Sequence, residues 1–126
     1  MFKPQFAGLV ERGEKLQTVR PMPKRMPKTG DRISLRAWEG KPYRSKQRVL
    51  REAVVTTAEP ITISEKTLER GLSCWIYGGG RSIGMDNFAQ ADGFKDWPAL
   101  VEWFRETHGL PFSGVLIRWT NSAFNQ

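Results

Sequence analysis

A chain of 126 residues with 39% hydrophobic and 26% charged side chains can bury one core, which argues against disorder. No apolar run reaches membrane-spanning length, a lone cysteine excludes an internal disulfide, and one histidine cannot complete a usual zinc site. The net charge of +7 is concentrated: residues 20–51 hold eleven Lys or Arg against two acids, a field that gathers polyanions, although lysine-rich loops also serve solubility alone.

The start, Met1 to Phe6, lacks the apolar core of a secretory signal, so a cytoplasmic protein is expected. Phe6, Leu9 and Val10 recur at helical spacing, Pro4 suits a first turn and Gly13 a helix end, which predicts a helix from Pro4 to Arg12. Residues 13–20 then alternate as a strand, with Leu16, Thr18 and Arg20 on one face and Gln17 and Val19 on the other. Lys15, at the entry to that strand, is expected to fold its stem over the Thr18 face. Three prolines make residues 20–28 an extended basic loop carrying Lys24, Arg25 and Lys28. Thr29-Gly30-Asp31 is a turn, and Arg32 to Trp38 alternates as a strand with Ile33, Leu35 and Ala37 on one face.

Residues 39–42 break that strand, and the basic stretch from Tyr43 to Arg48 leads into a β-branched strand over Val49 to Thr57. Pro60 to Ile63 is at most a short strand, and Ser64 to Arg70 is either a helical turn or a loop. A strand is predicted from Leu72 to Tyr77, its apolar face carrying Leu72, Cys74 and Ile76, with Cys74 assigned to the core. The glycines at 78–80 read as a hairpin turn, since the lysine and helix start of a phosphate loop are missing. Asp86 is expected to cap a short helix ending at Asp92-Gly93. Asp96 caps a longer one from Trp97 to Thr107, whose Trp97, Leu100, Val101 and Phe104 form a core stripe. His108 lies at its C-terminus, where a cation complements the helix dipole. Phe112 to Thr120 closes the chain as a strand with Val115, Ile117 and Trp119 on one face, before a polar tail. The expectation is a single α+β domain over residues 1–126.

Gly13, Lys15, Thr18 and Arg20, followed by Gly30-Asp31, resemble the G-x-K-x-x-T-x-R…G-D signature of the ASCH domain. Ala91-Asp92-Gly93-Phe94 and Phe112 to Trp119 resemble that family's acidic-Gly-aromatic stretch and closing strand, leaving residues 43–85 largely unmatched. The resemblance implies a small PUA-like β-barrel of short strands flanked by helices. It also implies binding of RNA, a nucleoside or a nucleotide; separately, no cofactor is expected. A bacterial branch of the family hydrolyses acylated cytidine with a lysine, a threonine and a glutamate. These fall on Lys15, Thr18 and Asp92, where this chain has the shorter acid.

The chemistry of those residues is coherent by itself. A threonine hydroxyl needs a base to become a nucleophile, and a lysine serves once burial or a cation such as Arg20 lowers its pKa. Asp92 would orient the lysine or carry a proton to the leaving amine. The same Lys15 and Asp92 also read as an ion pair across the cleft mouth. Arg20, with Lys24, Arg25 and Lys28, would hold phosphates, and Trp38 and Tyr43 are the aromatics nearest the basic segment for stacking, core packing being the alternative for Trp38. Two functions stay open: a nucleotide- or RNA-binding module, and an amidohydrolase on a modified nucleobase.

Overall fold

The computed structural model describes residues 2–39, 46–78 and 82–121. In chain order the elements are α1 (Pro4–Glu11), β1 (Gln17–Pro21), β2 (Arg32–Trp38), β3 (Gln47–Ile63), β4 (Thr67–Arg70), β5 (Ser73–Ile76), α2 (Ser82–Ala91), α3 (Trp97–Thr107) and β6 (Phe112–Asn121). The result is an α+β protein whose antiparallel sheet runs β1-β6-β3-β4-β5, with β2 also paired to β3. Among the described residues the sheet is open.

β3 organises the sheet. Its residues 53–63 pair with β6 along one edge, and along the other edge β2 takes residues 47–54 and β4 takes 61–63. The sequence reading split this strand at Pro60, because proline has no N–H to give a ladder. Here Pro60 stands opposite Val115 and its carbonyl still accepts from Gly71 N at 3.2 Å. Register shifts at Leu35/Arg36 and Val55/Thr57 bend the ladders on both sides.

Two apolar clusters fill the space between sheet and helices. One joins α2 and α3 to the far half of the sheet through Ile61, Ile63, Leu68, Met85, Phe88, Trp97, Leu100, Phe104 and Leu116. The other joins α1 to β2 and the near half of β3 through Phe2, Phe6, Val10, Leu35, Ala37, Leu50, Ala53 and Trp119. Phe94 and Trp103 pack against both clusters, so the two cores meet at these rings.

Three local expectations are corrected. Ser64 to Arg70 is neither helix nor loop throughout; Thr67–Arg70 is β4, pairing with β5 as a hairpin. On β5 the faces are reversed: Leu72, Cys74 and Ile76 are exposed, while Trp75 and, beyond the strand, Tyr77 pack against the core. Two rings bury more apolar area than a leucine, a cysteine and an isoleucine on a four-residue edge strand, so the aromatics win the inner face. Asp86 lies inside α2, and its carboxylate accepts from Trp97 N at 2.9 Å at the start of α3. The cap expected of Asp96 is present, from Ala99 N at 3.0 Å.

Candidate functional site

Gly93 ends α2 with φ +99, a conformation that suits glycine. An added Cβ there would also stand 2.9 Å from the Phe6 ring. The turn sends Phe94 onto Phe6 and Trp103, at ring centroid distances of 5.3 and 5.6 Å, and presents Asp92 toward the strand that follows α1. Lys15 meets it. Its ammonium donates to the Asp92 carbonyl at 2.5 Å and to Asp92 Oδ1 at 3.1 Å, and the two side chains are only 3% and 6% exposed.

Lys15 therefore belongs to the buried set with Gln17 and Val19 and does not fold over Thr18 as expected. A buried carboxylate supplies what the solvated face cannot, a partner for an ammonium taken out of water. Burial pushes Lys15 down from its ordinary 10.5 and Asp92 up from 3.8, and the attraction between them acts the other way on each. The Gln17 amide also favours the Asp92 anion, although its buried Nε2 makes no hydrogen bond of normal geometry among the described residues. The Lys15 ammonium lies 5.0 Å from the centre of the Phe6 ring as well.

In front of this pair is a cleft of about 120 Å³ at the seam between the two cores. Thr18, Val19, Arg20 and Pro21 of β1 form one wall, Asp92 and Phe94 the floor, and Trp103, Phe104, Thr107 and His108 of α3 the opposite wall, with Phe2, Lys3 and Phe6 at the end. Lys15 stands behind Asp92 and does not line the cleft. Arg20 lies over the Phe2 ring at 4.8 Å, and burial works against its charge while Asp92 favours it. Lys3 lies over Trp103 at 5.5 Å. His108 packs on the rings of Phe112, Phe104 and Trp103, and burial first, then Lys3 and Arg20, lower its pKa below 6.5.

No protein-family model, curated protein or solved structure matches the chain. Thr18, Arg20 and Asp92 thus share one cleft with Lys15 directly behind it, while the remaining sequence-predicted residues lie elsewhere. Lys24, Arg25 and Lys28 are exposed on the loop that leaves the cleft at Pro21, Arg25 beside a separate shallow depression with Arg32. Trp38 is half-buried at the end of β2, opposite Gln47, away from the cleft. Tyr43, like the glycines at 79 and 80, lies outside the described residues.

Sequence reasoning missed Phe2, Lys3, Trp103 and His108. A signal was present for two of them. Trp103 and Thr107 are spaced i, i+4, as are Phe104 and His108, so they line one flank of α3 beside its core stripe. Among the described residues no group of three His, Cys, Asp or Glu could hold a metal ion, and no helix is long and apolar enough to cross a membrane.

Proposed function

We propose that this chain is a cytoplasmic, ASCH-type protein that binds a nucleotide or an RNA end in the cleft, with basic residues of the 20–51 segment engaging phosphates. The observation carrying this reading is the meeting of Thr18 and Arg20 from β1 with Asp92 from the end of α2, residues far apart in sequence but joined in one motif set. Phe2, Phe94 and Trp103 line the same cleft. With Arg20 over Phe2 and Lys3 over Trp103, Phe94 is the ring we expect a base to pack against, a contact worth about 1–3 kcal/mol. At about 120 Å³ the cleft is well below the ~300–1,000 Å³ of drug-sized sites, which suits one ring at a time. The rest of the ligand would leave past Pro21 along the basic loop.

The fold that goes with this reading is the PUA-like barrel. Its support is β3, which serves β6 on one edge and β2 and β4 on the other, with register shifts of the kind that curl a sheet. Titration calorimetry with ribonucleosides, their monophosphates and a short single-stranded RNA tests the function. Binding that Arg20→Ala weakens on the order of tenfold, with thermal stability little changed, is the expected result. Equal loss of stability and binding would make Arg20 a structural residue, and no binding of any of the three would sink the reading.

One observation favours hydrolysis as a second reading: burial holds Lys15 below 10.5 and Asp92 above 3.8, so a proton moves between them at lower cost than between free side chains. Thr18 Oγ would attack the acyl carbon as the Asp92 carboxylate takes its proton. Asp92 would pass that proton to the leaving amine as the C–N bond breaks, with the Lys15 ammonium holding the carboxylate in place. Water would then release the acid from the threonine ester. The relay runs through Asp92 because Lys15 does not reach the cleft surface.

A further inference from the structure

We infer that Lys3, Arg20 and His108 form an anion-binding rim on this cleft, suited to a phosphate group carried by the ligand whose ring enters it. The inference rests on the cleft being the ligand site, and it names the part of the ligand that site selects. Three elements deliver the three side chains: Lys3 is the N-cap of α1, Arg20 is on β1 and His108 is the C-cap of α3. All three line the cleft.

The charge there is unbalanced. Asp92 is the one carboxylate lining the cleft among the described residues, and Lys15 already faces it at 3.1 Å. Neither Lys3 nor Arg20 makes a salt bridge among the described residues. Each rests instead on an aromatic face, Trp103 for Lys3 and Phe2 for Arg20, a contact that positions a cation without neutralising it. The α1 N-terminus adds its partial positive charge, while at the opposite wall the Phe104 carbonyl is occupied by the N–H groups of His108 and Gly109. Two fixed cations in a partly enclosed, apolar-walled site attract a dianion more strongly than the same cations on open surface.

His108 completes the rim and reports on it. The groups facing it are Lys3 from the α1 side, Arg20 from β1, Trp103 and Phe104 from its own helix, and Phe112 from β6. None of these is acidic, so the free protein keeps the imidazole neutral at pH 7. A phosphate dianion placed among Lys3, Arg20 and His108 offsets the two positive charges and sets an acceptor beside the imidazole. It then favours the imidazolium, so binding and protonation of His108 are linked.

The test uses the fact that His108 is the only histidine, so its ring resonances are unambiguous. Its pKa is followed by NMR in the free protein and with inorganic phosphate, ribonucleosides and ribonucleoside 5′-monophosphates. The expected result is an upward move of the His108 pKa with monophosphates and none with nucleosides, and monophosphate affinity on the order of tenfold higher. Lys3→Gln, at an exposed position where folding is not at stake, should bring the monophosphates close to nucleoside affinity, and Arg20→Gln should do the same. Inorganic phosphate that moves His108, with neither nucleosides, monophosphates nor the short RNA binding, would support the rim and sink the nucleotide reading. Nucleosides and monophosphates binding equally, with His108 unmoved, would overturn the rim and leave nucleoside binding standing. A His108 pKa that responds to none of the three overturns it as well.

Discussion

Lys15 and Asp92 form the most consequential contact at the level of single residues, because each is buried and each has the other as its charge partner. Removing one member of such a pair leaves an uncompensated charge and costs about 3–5 kcal/mol. Lys15→Met should therefore lower stability by about that much at neutral pH, measured by urea unfolding. The deficit should depend on pH with a defined sign. A folded pKa above 3.8 means that native Asp92 holds its proton where the unfolded chain has lost it, so stability falls as pH rises from 3.8 through the raised value. Without Lys15 that value rises further. Acidification should thus shrink the Lys15→Met deficit, and a deficit constant with pH would deny the pair its electrostatic role. Thr18→Ala separates the two functional readings: binding should persist within a few-fold, whereas any release of acid from an acylated cytidine should vanish. Lys15, Thr18, Arg20 and Asp92 were singled out in the sequence by a resemblance, and the fold does bring these four together. Lys3 and His108 were not, since only the approach of α1 to the C-terminal end of α3 brings them to one cleft.

Among the elements, the β1–β6 ladder positions Thr18 and Arg20, and it depends on a glycine. Arg20 and Pro21 of β1 lie opposite Val115 and Gly114 of β6, and a Cβ on Gly114 would stand 2.1 Å from the Arg20 carbonyl oxygen. That neighbour is backbone and cannot rotate away. Gly114→Ala should cost about 3 kcal/mol, near the upper end for overpacking, and should displace the Arg20 wall of the cleft. Thermal unfolding read together with nucleotide affinity checks both effects; a variant of native stability and affinity would show the ladder to be looser than this packing requires. Helices α1 and α3 and strands β2 and β6 were readable from periodicity with caps and turn residues. β3, β4 and β5 were less so, for a physical reason. Pro60 looks like a break until its partner strands are known, and Leu72, Cys74 and Ile76 outscore Trp75 and Tyr77 in apolar pattern while losing to them in buried area.

Across the whole molecule, two cores meet at Phe94 and Trp103, and the cleft opens at that seam, where neither core has filled the space. The strongly basic loop begins at Pro21 on the same cleft, so Lys24, Arg25 and Lys28 are the cations that a ligand extending past Pro21 would be expected to meet. The field of residues 20–51 was visible from composition, and Arg20, its first residue and also a cleft residue, already tied it to the site in the sequence. If the three side chains each contact an RNA phosphate, each releases counterions and contributes about 0.7 to the log–log salt slope for a single strand. Replacing all three with glutamine should flatten the slope by about 2, measured from low to moderate salt by fluorescence anisotropy with a labelled single strand. Affinity for a mononucleotide should change far less, because the cleft itself is untouched. A slope unaltered by the triple substitution would assign the loop to solubility. An equal loss for mononucleotide and RNA would instead mean that the loop shapes the cleft and does not extend it.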